Sequence, residues 1–354
     1  MSPRWRRPLA FLAAGAFVVR PGAPALSWDL EDVLLRLPVA EHSDKTVVVT
    51  MANYAMREAL LAWVLSVHAF GERRYVVLAS DPATLGVCRE NALPCAYDSR
   101  LQLHSGELRY GMTPDFLAMG KVRFGYTLRL LHLGYAVLFS ELDVLWVEHP
   151  IARAAPPAAP EFSRIIPSEN YDLQIQPNAH LKASLYRGQE LNVGFFYVRS
   201  TAAAILLIQK TLQTMAEETG AASWEQSVFS RMAWRLTGPW TQDSHIYGRV
   251  AHAPRTSAKS APLRLHLLST WYFPTGGVGR KPIVPVSAYK QNGTRPTVVH
   301  CTGRTGVVPK RECMDAWRNA VAGLKKHKTA SLCRAGRVQG RDGSRDRGAS
   351  APPC

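Results

Sequence analysis

GYAVLFSELDVLWVEHP, residues 134–150, runs apolar from Tyr135 to Phe139 and then meets two carboxylates, Glu141 and Asp143, with Leu142 between them. The short apolar run predicts a buried strand from Tyr135 to Ser140 that delivers the acids at its end. In an extended chain alternate side chains share a face, so Glu141 and Asp143 are expected to point the same way while Leu142 turns inward. Hard cations such as Mg²⁺ and Mn²⁺ take carboxylate oxygens and keep positions open for substrate phosphates, so the pair predicts a metal–diphosphate site. Spacing alone also allows two acids that merely solvate a strand end.

Outward from this stretch, strand and helix alternate. KTVVVTM (45–51) reads as a buried strand followed by a helix over 54–69, and YVVLAS (75–80) as a second strand. Asp81-Pro82 caps a helix over 83–91, and Thr113-Pro114 opens another through Leu133. This order predicts a doubly wound, mostly parallel sheet flanked by helices. Ligands bind such sheets at the carboxyl ends of the strands, where Asn53, Asp81, Glu141 and Asp143 fall.

The second half is less regular. ARAAPPAAP (152–160) reads as a surface loop, NVGFFYVR (192–199) as a strand, and Thr201 as the cap of a helix through Glu218. A helix over 224–236, strands over 263–268 and 297–301, and a helix near 312–325 complete the pattern. STWYFPTGG places Trp271 in a Gly-rich aromatic loop suited to lining an acceptor site, whereas most other tryptophans are expected in the core.

With 354 residues, 47% of them hydrophobic, the chain has ample material for a core. Its formal charge of +16 is concentrated at the ends. Residues 1–20 carry four Arg and no acid, and residues 325–354 carry eight Lys or Arg against Asp342 and Asp346, so the ends supply ten of the sixteen charges. The mildly basic body suits an anionic small substrate. It has neither zinc-finger spacing nor a helical basic stripe, so no nucleic-acid partner is expected.

Arg4, Arg6 and Arg7 ahead of an apolar run and Ala23-Pro24-Ala25 predict a signal peptide or short signal-anchor over 1–26, entry to the secretory pathway, and membrane association if the leader is retained. An organelle-targeting leader is the other reading. Cys88 with Cys95, and Cys301 with Cys313, are near enough in sequence to pair, although free buried thiols fit as well. Asn292-Gly293-Thr294 is an N-glycosylation acceptor in a lumenal chain.

Four segments then resemble a known family in kind and order: TVVVTMAN (46–53), the unit from Lys121 to Pro150, LNVGFFYVRST (191–201) with WEQSVF (224–229), and VVHCTG (298–303) followed by Lys310. Together they resemble the nucleotide-diphospho-sugar transferases of GT-A fold, a group that includes plant and algal Golgi xylosyl- and arabinosyltransferases. The resemblance implies a GT-A-like domain over 45–325 whose acceptor-side half is less regular; residues 27–44 then read as a linker, and 326–354, rich in Gly, Arg, Ser and Pro after Cys333, as a basic disordered tail. It also implies transfer of a sugar from a UDP-sugar to a glycan or glycoprotein hydroxyl, with retention, in the Golgi lumen.

By the same resemblance Asp143 and His300 ligate Mn²⁺ or Mg²⁺, and Lys121, Glu225 and Gln226 are catalytic. Asn53, Asp81, Glu141, Asn192, Gly194, Gly303 and Lys310 bind substrate. The family usually has Asp-x-Asp where this chain has Glu141 and Asp143, and often Asp where it has Glu225. Those two changes leave a second reading, a pseudo-transferase that binds the nucleotide sugar without transfer.

Overall fold

The computed structural model describes residues 28–38, 45–101, 103, 105–106, 113–151, 165, 170–178, 190–237, 262–269, 272–275, 289, 295–302, 310 and 312–319. The leader, the basic tail, the 152–160 loop, Trp271, Gly303 and the acceptor at Asn292 lie outside them.

In chain order the elements are α1 (Leu30–Arg36), β1 (Thr46–Ala52), α2 (Arg57–His68), β2 (Tyr75–Ala79), α3 (Pro82–Glu90), β3 (Cys95–Ala96), α4 (Pro114–His132), β4 (Ala136–Ser140) and β5 (Val144–Trp146). They continue with β6 (Leu173–Pro177), β7 (Leu191–Val198), α5 (Ala202–Glu217), α6 (Glu225–Leu236), β8 (Leu265–Leu267) and β9 (Val298–His300). Among the described residues four helices start where a polar side chain satisfies an otherwise orphaned amide: Asp29 accepts from Glu31, Asp81 from Thr84, Thr113 from Phe116 and Thr201 from Ala204. Pro82 and Pro114 occupy first turns, where a missing N–H costs nothing.

Among the described residues seven strands form one sheet in the order β3-β2-β1-β4-β7-β6-β8, with β7 running antiparallel to its neighbours. The expected doubly wound, mostly parallel architecture is present, and both faces are covered. Val47, Val49, Val76, Leu78, Val137 and Phe139 point to the layer of α4, α5 and α6. Their alternates Val48, Val77, Leu138 and Phe195 meet Leu60, Trp63 and Val64 of α2 and Leu85 of α3. Burial on both faces explains the continuous apolar strands.

Two expectations need correction. Segment 27–44, read as linker, contains α1, whose Leu30, Val33 and Leu34 enter the core and whose Asp29 and Glu31 pair with Arg129 of α4. Burying three such side chains contributes about 1.5–3 kcal/mol each, enough to join α1 to the folded body. The strand expected over 297–301 is present as β9, which pairs antiparallel with β5 in a separate two-stranded sheet, Val144 opposite His300. Finally, β4 stops at Ser140, and Glu141–Asp143 form a turn closed by Val144 N donating to Glu141 O at 3.1 Å. The two acids converge through that turn rather than through strand pleating. Leu142 is buried as expected.

Both cysteine pairs are disulfides: Cys88–Cys95 links α3 to β3, and Cys301–Cys313 links the end of β9 to the helical residues 312–319.

Candidate active site at the carboxyl end of β4

Ser140 ends β4 with its hydroxyl accepting hydrogen bonds from the indoles of Trp63 (3.1 Å) and Trp146 (3.3 Å), which pins the start of the acidic turn. Glu141 N then donates to Gly194 O at 2.8 Å, and Cys301 N to Asp143 O at 3.0 Å. The turn is thereby tied to β7 on one side and to β9 on the other. His300 comes to rest with Nε2 3.2 Å from Asp143 Oδ1 and 3.4 Å from Glu141 Oε2. One ligand atom from each of Glu141, Asp143 and His300 lies within 4.8 Å of the others.

Among the described residues two cations flank the cluster. Lys310 Nζ is 2.7 Å from Asp143 Oδ2. Arg123, buried in α4, sets Nη2 2.5 Å from Glu141 Oε1 and Nη1 3.2 Å from the Val193 carbonyl and 3.8 Å from Glu225 Oε1, with its guanidinium over the Phe139 ring. Burial alone would raise both acids. Arg123 and His300 instead hold Glu141 down at about 2, and Lys310 and His300 hold Asp143 well below the usual carboxylate range. Burial favours a neutral imidazole at His300, but the two carboxylates outweigh it and raise its proton affinity.

This chemistry fits a divalent cation. Among the described residues, both carboxylate oxygens of Asp143 and Nε2 of His300 are buried with no hydrogen bond beyond the ion pairs just described. A buried carboxylate without hydrogen bonds is costly unless a cation faces it. Two carboxylate oxygens and one imidazole nitrogen suit Mn²⁺ or Mg²⁺. The side chains of Glu141 and Lys310 are each 29% exposed, so the cluster opens to solvent on their side.

Comparison with known proteins now decides the family. The model of the nucleotide-diphospho-sugar transferases matches residues 71–314, about two thirds of the sequence. The chain belongs to that family. A beta-arabinofuranosyltransferase of Arabidopsis thaliana is 26% identical over 191 residues, 53% of this chain and 33% of the relative. The UDP-D-xylose:L-fucose alpha-1,3-D-xylosyltransferase of the same plant is 25% identical over 248 residues, 66% of this chain and 58% of the relative. This chain therefore spans between a third and three fifths of the length of these two relatives. Among solved structures, apo mouse xyloside xylosyltransferase 1 aligns with 74% of this chain and 99% of its own, at 10% identity and a TM-score of 0.38.

Around the acidic turn, β7 and α6 provide a second layer. Asn192 Oδ1 accepts from Gly194 N at 2.9 Å, and Gln226 Oε1 accepts from Val193 N at 3.3 Å. Gly194 has no room for a side chain: a Cβ there would lie 2.3 Å from His300 Cε1 and 2.5 Å from Glu141 Oε2. Glu225 is buried at the start of α6, and a Cβ on Gly120 of α4 would lie 2.4 Å from its Cβ, so glycine lets the two helices close. Desolvation raises the Glu225 carboxyl to about 7 despite Arg123.

The remaining expected residues sit elsewhere along the same edge or outside it. Asn53 follows β1, its Nδ2 donating to Gly106 O at 2.6 Å. Asp81 follows β2 with both oxygens occupied: Oδ1 accepts from Thr84 N, and Oδ2 from Thr84 Oγ1 and Tyr54 N. Lys121 is exposed on α4. The cation that α4 turns into the cluster is Arg123, which sequence reasoning missed; an arginine amid the apolar run VRFGYTLRLL was the available signal. Gln176, whose Oε1 lies 3.1 Å from His300 Nδ1, carried no signal, because β6 was not legible.

Proposed function

We propose that this chain is a metal-dependent glycosyltransferase that moves a sugar from a nucleotide diphosphate, preferentially UDP, to a hydroxyl of a glycan or glycoprotein with retention of configuration. The observation that carries this reading is the Glu141–Asp143–His300 cluster, whose Asp143 is buried and faces only cationic or imidazole partners among the described residues, and whose ligand atoms converge within 4.8 Å. These three side chains would hold Mn²⁺ or Mg²⁺. The bound cation supplies Lewis-acid stabilisation of the departing diphosphate.

Lys310 stands beside Asp143 and adds positive charge where the leaving group gathers negative charge. Lys121, exposed on the same helix as Arg123, is assigned to the donor phosphates. Asn192 and Gly194 form the wall beside the donor sugar, with Glu225 and Gln226 behind it. Asn53 and Asp81 at the ends of β1 and β2 face the nucleoside, and Trp271 and Gly303 are assigned to the acceptor and diphosphate sides. In transfer, the bond from the anomeric carbon to phosphate oxygen breaks, the bond to the acceptor oxygen forms on the same face, and the acceptor proton passes to the leaving phosphate. No protein nucleophile is needed.

A lumenal Golgi setting is part of the proposal, supported by the N-terminal leader pattern and by two disulfides, which persist in oxidising compartments. No described helix is long and apolar enough to cross a membrane. One observation favours the second reading, donor binding without transfer: Glu225 turns its carboxylate inward to Arg123.

The test is UDP release from a panel of UDP-sugars, with and without Mn²⁺, beside an Asp143→Asn variant. Metal-dependent release from one donor, lost in the variant, is the expected result. Tight UDP binding with no release from any donor would leave the binding-only reading, and no UDP binding at all would overturn both.

A further inference from the structure

Gln176 lies on β6, at the point where its register with β7 shifts between Ile175 and Gln176. Such bulges re-aim a side chain. The amide is fully buried and makes two hydrogen bonds of opposite sense. Its Nε2 donates to the main-chain carbonyl of Phe273 at 3.1 Å, and its Oε1 lies 3.1 Å from Nδ1 of His300. A carbonyl can only accept, so the Phe273 contact fixes which end of the amide is NH₂ and leaves the oxygen facing the imidazole. An oxygen facing Nδ1 requires that Nδ1 carry a hydrogen. The neutral ring then has its lone pair on Nε2, the nitrogen aimed at Glu141 and Asp143.

The backbone holding this relay is fixed as well. His300 N donates to Pro274 O at 3.0 Å, Thr275 bridges to His300, and Phe273 N donates to Ser269 O at 2.8 Å. These bonds tie the backbone of the acceptor carbonyl to that of the ring.

We infer that Gln176 is a positioning residue that selects the Nδ1–H tautomer of His300 and so presents Nε2 as a ligand to a divalent cation held with Glu141 and Asp143. The inference rests on the metal-dependent reading above and adds to it a residue that no motif marks. An outer-shell partner of a ligating histidine is typically worth 10–100-fold in metal affinity.

The test is Mn²⁺ titration, by calorimetry or paramagnetic resonance, of the full chain and of Gln176→Leu and Gln176→Glu. Gln176→Leu should weaken Mn²⁺ about 10–100-fold. Gln176→Glu, which keeps an acceptor for Nδ1–H and when protonated a donor for the Phe273 carbonyl, should stay within about threefold of the parent, a rescue that a merely structural role does not predict. Equal Mn²⁺ affinity in the parent and Gln176→Leu would overturn the inference and leave the metal site standing. Absence of Mn²⁺ binding by the parent would overturn the metal reading, and this inference with it. Should Gln176→Leu fail to fold, ¹⁵N-histidine spectra of the parent loaded with Zn²⁺ as a diamagnetic probe decide the matter. They should show a metal-bound Nε2 and a protonated Nδ1 for His300, and a metal-bound Nδ1 would sink the idea.

Discussion

Gly194 and His300 touch so closely that a Cβ on residue 194 would stand 2.3 Å from the imidazole Cε1. Glycine weakens a strand interior unless another group needs its space, and here Glu141 and His300 both do. Gly194→Ala should therefore displace one of them, lowering Mn²⁺ affinity at least tenfold and stability by about 1–3 kcal/mol. Gly125→Ala on α4, where a Cβ meets nothing within 4 Å, is the control and should be neutral or stabilising by about 0.5–1 kcal/mol. Thermal unfolding and metal titration of both variants check this.

Arg123 is the buried cation on which Glu141 and Glu225 both depend. Arg123→Met keeps the volume but leaves the buried Glu225 without its cation and Glu141 with His300 alone, and should cost about 3–5 kcal/mol in denaturant unfolding. Adding Glu225→Gln should recover part of that loss, because one of the stranded charges is gone. Additive losses in the double variant would show that the two side chains are not coupled.

Glu225 sets a pH dependence. Burial raises its folded carboxyl to about 7, against an ordinary value of 4.5, so the folded state holds this proton more tightly than the unfolded chain does. Its contribution to stability is fully present below 4.5 and is lost as pH rises through 7. Relative to the parent, Glu225→Gln should therefore gain stability, by on the order of a few kcal/mol, between pH 4.5 and 7.5, and little below that window. Unfolding midpoints measured across pH 4–8 test the sign.

The two disulfides should behave differently. Removing either pair by serine substitution should cost roughly 2–4 kcal/mol. Cys88–Cys95 clasps α3 to the sheet edge at β3, so its loss should leave UDP affinity unchanged. Cys301–Cys313 joins the residue after His300 to the helical segment beyond Lys310, so its loss should weaken UDP and Mn²⁺ binding together. Calorimetric titration of the two double variants distinguishes them.

The sequence made the parallel half of the sheet readable because β1, β2 and β4 are short apolar runs and α3, α4 and α5 start at Asp81, Thr113 and Thr201. β6 was hidden because LQIQP alternates with glutamines that are nonetheless buried, held by partners distant in sequence. α1 was hidden by its brevity and its acidic start, which answers Arg129 a hundred residues away. In the site, Glu141, Asp143 and His300 were legible as ligand types, but their meeting rests on a turn and a β5–β9 pairing that no local pattern encodes. Arg123 escaped because a cation inside an amphipathic helix ordinarily reads as its solvated face.

The β5–β9 pairing also sets an order of events. Val144 and His300 are joined across more than 150 residues, whereas every strand of the large sheet has been synthesised by Leu267. Closing so long a loop costs entropy that only late contacts repay. A nascent or truncated chain ending before Thr297 therefore carries the whole sheet yet lacks the imidazole, Lys310 and the Cys301–Cys313 clasp. Loss of the residues from 297 onward would therefore dismantle the candidate site while leaving the strands of the large sheet in place.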